Sequence, residues 1–376
     1  MKAGNLMKWI ENLFRKLGFF FFRLILRNKH VQLPLNASKF KKILLLRYDV
    51  LGDMIVTTPL FNVLKSKLPN VEIHVLGTTR NVGLLSYDNR ISKVLCYEKT
   101  VSSLMKIRRE AKAEGYDCIL PLVFNKSTNA GLWANWMGGS KTVKIGWTNS
   151  WRRELYKSLY NAQIPSIEAP GDKMTMSQII VYFACKSFGW KYSSDLVKLS
   201  IVLAPKHEQF AHEYYYQFKE HKTVLINVSA GKVSREMPVD TVSTLIKLLT
   251  DTYPHCVVLL NATKQDTDKA KHLESQFPGK VQILPYSPDV LNFCALVKLC
   301  NVVISPDTAI IHIASTFDIP VVGLYKNSEH HCKEWGPQHS KAILVHPDEE
   351  TGEVRTIQHD KIFSAFQELN NRFTFI

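Results

Sequence analysis

Several signatures are missing from this 376-residue chain, and each absence removes a class of function. It holds no G-x-G-x-x-G, which disfavours an oxidoreductase built on a dinucleotide-binding turn. Its seven cysteines (Cys96, Cys118, Cys185, Cys256, Cys294, Cys300 and Cys332) are odd in number, scattered and never spaced C-x-x-C. They read as reduced thiols, not as a disulfide framework or a zinc site. His330-His331-Cys332 is the one metal-like run, and adjacent residues rarely converge on a single ion, so a solvated loop is expected there. No apolar run reaches the roughly 20 uninterrupted residues of a membrane-spanning helix. Acid is scarce as well: 33 Asp and Glu face 48 Lys and Arg, a formal net charge of +15. That excess points to an anionic partner. With no nucleic-acid-binding signature and with the cations dispersed beyond the first segment, a phosphorylated substrate or a membrane surface is favoured and nucleic acid is not.

What is present suits two α/β domains, with enough apolar residues for sizeable cores. Residues 1–35 stand apart. Trp9, Ile10, Leu13, Phe14, Leu17, Phe20, Phe21, Leu24 and Ile25 recur at helical spacing, among seven cations and the single acid Glu11. A basic helix with an aromatic face lies in a bilayer interface, so residues 6–27 are expected to contact anionic lipid. No small-residue cleavage site follows the phenylalanines, which argues against a signal peptide.

From Lys41 onward, apolar strands alternate with amphipathic helices, the pattern of a doubly wound parallel sheet. It runs through residues 36–205 and starts again across 206–376, predicting two Rossmann-like domains facing across a cleft. Between Thr148 and Lys173 the polar, turn-rich composition predicts loops. The stretch Asn301 to Tyr325, NVVISPDTAIIHIASTFDIPVVGLY, reads as strand, tight turn, short helix and strand. Asp307 and Thr308 are suited to cap the helix, whose N–H groups and dipole would face the crevice and seat a phosphate. Thr308 and His312, four apart, share one helix face.

Two separated segments carry a resemblance. SPDTAIIHIA followed by IPVVGLY, and ILLLRYDVLGDMIVTTPLFNVLKSKLP from Ile43 to Pro69, resemble the signatures of the ADP-heptose–lipopolysaccharide heptosyltransferases, glycosyltransferase family nine. YDCILPLVFNKSTNAGLWANWMGGSKTVKIGW, from Tyr116 to Trp147, is a weaker match in the expected order. The resemblance implies a GT-B fold and an inverting transfer of heptose from ADP-heptose to the lipopolysaccharide inner core. It further implies an anionic, lipid-linked acceptor and a place on the cytoplasmic face of the inner membrane. A hexose donor on the same fold, or an idle membrane-bound scaffold, are the alternative expectations.

Residue roles follow from the same motifs. Asp53 matches the LGD aspartate taken as the family's general base. Asp307, Thr308 and His312 match D-[ST]-G-x-x-H, implicated in donor binding, with Ala309 where glycine is usual. In SAGKVSREMP, Arg235 stands in the lysine-like place with Lys232 three residues earlier, leaving either to meet the diphosphate. Lys326 follows the last matching strand, where it would face the phosphates. The acidic contact to the ribose or sugar would fall near Asp266 or Asp268. No D-x-D sits at a strand end, and basic groups with a helix dipole suffice for a departing diphosphate, so neither metal nor cofactor is expected.

Overall fold

The computed structural model describes residues 25, 26, 28–148, 153–166, 174–350 and 352–376. Most of the expected N-terminal amphipathic helix lies outside the described residues. The first half is a six-stranded parallel sheet of β1 (Lys42–Leu46), β2 (Glu72–Thr78), β3 (Lys93–Tyr97), β4 (Cys118–Pro121), β5 (Val143–Thr148) and β6 (Ala162–Pro165), in the order β3-β2-β1-β4-β5-β6. The second repeats it with β7 (Lys222–Asn227), β8 (Cys256–Asn261), β9 (Val281–Ile283), β10 (Val302–Pro306), β11 (Val321–Leu324) and β12 (Ala342–Val345), in the order β12-β11-β10-β7-β8-β9. Every pairing is parallel.

Helices cover both faces, which explains strands that are apolar at nearly every position: Ile43 to Leu46 and Val302 to Ile304 are all fully buried. In the first half these helices are α1 (Leu51–Ile55), α2 (Thr58–Lys67), α3 (Val101–Glu114), α4 (Ser127–Met137), α5 (Arg153–Leu159) and α6 (Met176–Phe188). The second half has α7 (Pro205–Tyr215), α8 (Val239–Thr252), α9 (Thr267–Gln276), α10 (Val290–Leu299), α11 (Ala309–Thr316), α12 (Glu329–Trp335) and α13 (His359–Phe373). Caps match the chain: Thr100 accepts from Ser103 N–H at the head of α3, and Gly115 ends it in the left-handed conformation.

In each sheet the strand order reverses once, between β1 and β4 and between β7 and β10. Ligands of such folds sit beyond the strand C-termini at that switch point. The two halves are joined there. A Cβ on Gly52 of α1 would lie 3.1 Å from His312 Cδ2 and 3.5 Å from the Ala309 Cα of α11, so glycine sets how closely the two helices approach. One apolar cluster continues from Ile43 and Leu45 through to Ile311 and Tyr325.

Three expectations are corrected. The region from Thr148 to Lys173, expected as loops, contains α5 and β6. Leu155, Tyr156, Leu159 and Tyr160 form their own buried cluster, and its aromatic content disguised a helix. The solvated loop expected at 330–332 is helix α12, capped by Ser328. Thr308 sits at the N-cap of α11 but its side chain makes no capping bond.

Gly146 of β5 packs under Tyr160, where an added Cβ would come within 2.5 Å of the ring. The ring is almost fully buried and its hydroxyl donates to the Ser127 carbonyl, so it has nowhere to move. Gly146→Ala is expected to lower stability by about 1–3 kcal/mol in urea unfolding. An unchanged midpoint would show that this contact is loose.

Candidate active site

The cleft between the sheets measures about 840 Å³ and is lined from both halves. The loop after β1 supplies Asp49, and helix α1 supplies Asp53. The loops after β7 and β10 supply Lys232, Arg235, Asp307 and Thr308, and the first turn of α11 adds Ala309 and His312. Seven of the eight site residues expected from sequence therefore share one cavity. The eighth, Lys326, lines an adjoining pocket with Lys232, Arg235, Asp307 and His331.

Arg47 organises the first wall. It ends the apolar run of β1 and is only 2% exposed. Its Nε donates to the Asp53 carbonyl at 2.8 Å, and its Nη2 reaches Asp53 Oδ1 at 3.0 Å. Nη1 donates to the Leu122 carbonyl and lies 3.2 Å from Asp49 Oδ2. One planar fork thus fixes two carboxylates and a loop from the neighbouring strand. Among the described residues Asp53 Oδ2 has only a long contact to Val50 N–H, 3.4 Å, and Asp53 lines the cleft. The sequence reading passed over Arg47, although a lone cation closing an apolar strand was the visible signal.

Asp49 was missed too. Burial is the largest influence on it, Arg47 opposes that and the Asp53 charge adds to it, and its pKa is pushed up to about 6. Its Oδ1 is buried with no hydrogen-bond partner among the described residues.

The opposite wall is an ion-paired cluster. Arg235 Nη1 lies 3.0 Å from Asp307 Oδ2 and donates to the Asp307 carbonyl at 3.2 Å. His331 of α12 holds the same carboxylate oxygen through Nε2 at 2.8 Å. Burial works to raise the Asp307 pKa, but the His331 hydrogen bond and the Arg235 charge outweigh it and hold the group below its ordinary range. His312 is buried, which lowers its pKa and keeps the imidazole neutral near pH 7. Its Nδ1 has no hydrogen-bond partner among the described residues.

Thr308 is oriented from below. Asn227, at the end of β7, donates to its hydroxyl at 3.2 Å, and Ser305 Oγ lies 3.1 Å from it. Beyond these lies a more open pocket of about 540 Å³ lined by Asn261, Thr263, Lys264 and Ile310. Asp266 borders it, accepting from Ser229 and, at 2.7 Å, from Thr263. Of the two acids weighed from sequence for this region, Asp266 is the one in a polar network beside Thr308. Away from the cleft, Glu72, His74 and Glu114 are the only described residues grouped closely enough to hold a metal ion. Lys42 and Lys93 already occupy Glu114, at 2.6 and 2.8 Å, and depress its pKa to about 2.

Two like-ordered parallel sheets with a cleft at their facing switch points define a GT-B fold. A profile of glycosyltransferase family 9 (heptosyltransferase) matches residues 104–360, and the chain belongs to that family. Among solved structures, the fold superposes on a glycosyl transferase family 9 protein of Veillonella parvula with a TM-score of 0.73 at 16% identity, over 90% of this chain and 99% of that one. It superposes on the ADP-heptose lps heptosyltransferase II of E. coli with a TM-score of 0.71 at 17% identity, over 88% and 99%. An Escherichia coli K12 relative that carries the provisional name lipopolysaccharide heptosyltransferase 4 is 22% identical over 354 residues, 92% of each chain.

The raised pKa of Asp49 has a direct thermodynamic reading. The folded protein holds this proton to about pH 6, whereas the ordinary aspartate value is 3.8. Stability from the protonated form is fully present below that ordinary value and is lost as pH rises through 6. Asp49→Asn stays neutral throughout. Its stability relative to the parent is expected to rise by on the order of 2 kcal/mol between pH 4 and pH 7.5. A difference that does not change with pH, measured by urea unfolding at both values, would contradict the assignment.

Proposed function

We propose that this chain is an inverting heptosyltransferase that transfers heptose from an ADP-heptose donor to the inner core of lipopolysaccharide. The observation that carries this reading is the meeting, in one cleft, of a carboxylate from one switch point and an anion-binding cluster from the other. Residues 36–205 form the acceptor domain and residues 206–376 the nucleotide-sugar domain. E. coli heptosyltransferase WaaC, whose fold this chain shares, has been solved with ADP and with ADP-2-deoxy-2-fluoro heptose.

The chemistry follows from the two walls. Asp53 Oδ2 takes the proton of the acceptor hydroxyl while Oδ1 stays on Arg47. The acceptor oxygen bonds to the anomeric carbon from the face opposite the diphosphate, and the anomeric carbon–phosphate oxygen bond breaks with its electron pair leaving on ADP. Arg235 and Lys232 neutralise that charge together with the N–H groups at the head of α11, and Lys326 faces it from the adjoining pocket. Arg235 turns to phosphate without stranding Asp307, because His331 still holds that carboxylate. His312 and Thr308 orient the donor. This arrangement supplies the positive charge that a divalent cation otherwise brings, so we propose cation-independent transfer.

Ala309 favours a second reading. It occupies the head of α11 beside Gly52, where its methyl narrows the approach to the donor sugar and suits a hexose. No described helix is long and apolar enough to cross a membrane. In the proposed setting the protein sits on the cytoplasmic face of the inner membrane through residues 6–27 and meets a lipid-linked, anionic acceptor there.

The test is transfer to truncated lipopolysaccharide with ADP-heptose, ADP-glucose or UDP-glucose, each with and without chelator. Selective turnover of ADP-heptose that survives chelator is expected. Selective turnover of a hexose donor would move the specificity to the second reading, and reversible loss of activity in chelator would reject the cation-independent mechanism.

A further inference from the structure

Helix α3 carries an outer face that does not look like an ordinary solvent face. Val101, Met105 and Arg109 recur at steps of four residues and so form one stripe, whereas the ammonium of Lys112 turns back onto the Gly138 carbonyl. Val101 is 78% exposed and Met105 50%, on a helix with abundant cations. Lys106 and Arg109 are exposed beside them. Arg108 lies over the ring of Trp136, 4.5 Å from its centroid, and that indole, at the end of α4, is itself 39% exposed.

The acids of α3 are turned away. Glu110 is 4.0 Å from Lys93, and Glu114 pairs with Lys93 and Lys42 at the sheet. The outward stripe is left apolar and cationic. Apolar side chains among cations are matched by an interface with an acyl layer beneath an anionic surface.

The basic first segment joins the fold at the same place. Asn28 donates to Oδ1 of Asn135, the residue before Trp136, at 2.8 Å and to the Ser158 carbonyl at 2.7 Å. Leu26 packs on the Leu155–Leu159 cluster, and Ile25 is 72% exposed. At its other end the stripe begins at Val101, just past the C-terminus of β3, on the edge of the sheet that opens toward the cleft.

We propose that the outer face of α3, with Trp136, is a second membrane-contact surface that binds the anionic headgroups of a bilayer. It begins near the place where Leu26 and Asn28 join the fold and extends from there toward the cleft mouth. A protein docked this way presents the acceptor side of the cleft to the lipid layer. That orientation rests on the reading of a lipid-linked acceptor, whereas the binding itself needs neither donor nor acceptor.

The experiment is flotation of the full chain with vesicles of phosphatidylethanolamine and phosphatidylglycerol, beside vesicles of phosphatidylcholine alone. Each cation near an anionic surface contributes about fivefold to partitioning, so Lys106→Glu/Arg109→Glu is expected to weaken binding to the anionic vesicles at least ~20-fold. Val101→Ser/Met105→Ser is expected to weaken it several-fold with the charge intact. A control pair on the other half, Lys247→Glu/Lys271→Glu, is expected to bind as the parent does. Turnover of a deacylated, water-soluble acceptor should be unchanged in the α3 variants. Parent-like binding by both α3 variants, or an equal loss in the control pair, would overturn the proposal. A wrong donor or acceptor assignment would leave these flotation results standing.

Discussion

Arg47 enters the floor of the cleft from the end of β1, almost wholly buried, and the first wall of the site is arranged around its guanidinium. Such a group is tolerated inside a protein only when its donors are satisfied and its charge is met. The carbonyls of Asp53 and Leu122 and the carboxylates of Asp49 and Asp53 do both. Removing one member of a buried pair of this kind costs roughly 3–5 kcal/mol, because the other is left uncompensated. The short helix that presents Asp53 thus has its position set by electrostatics as much as by its own few residues.

The second wall is built on the same principle with the opposite sign at the centre. There a half-buried carboxylate, Asp307, is met by Arg235 and His331. A charge kept in place by two partners stays satisfied when one of them swings to a ligand. Between the walls, Gly52 lets α1 and α11 approach, so the proposed base and the head of the anion-binding helix share one cavity. The repeated sheet order explains why both walls exist: each half has one switch point, and the two switch points face one another.

Much of this was legible in the chain. The alternation of apolar strands and amphipathic helices specified two doubly wound sheets, and the segments around Asp53 and Asp307 marked the loops at both switch points. What escaped were features set by tertiary contact. The edge strands β3 and β12 are half-exposed, without the buried apolar run that marks β1 or β10. Helix α5 and strand β6 lay in a polar, aromatic stretch whose apolar residues are buried by partners distant in sequence: those of α5 beside Leu132 of α4, and Ala162 and Ile164 of β6 in the main core. His331 looks like an ordinary surface residue in a linear reading, and Arg47 shows only as a cation closing an apolar strand. Their roles come from carboxylates brought to them by the fold, Asp53 six positions away and Asp307 twenty-four. Asp49 is a similar case, since only burial beside Asp53 distinguishes it.

The claim most exposed to test is that Asp53, held on one oxygen by Arg47, removes the acceptor proton. The direct measurement compares Asp53→Asn with the parent, reading donor binding by calorimetry and sugar transfer in a single turnover on the same preparation. The amide keeps the size and the carbonyl contact to Arg47 but cannot accept the proton. Donor affinity within about twofold of the parent, with transfer lowered at least ~10³-fold, is the predicted result. Transfer within tenfold of the parent would place the base elsewhere and contradict the account.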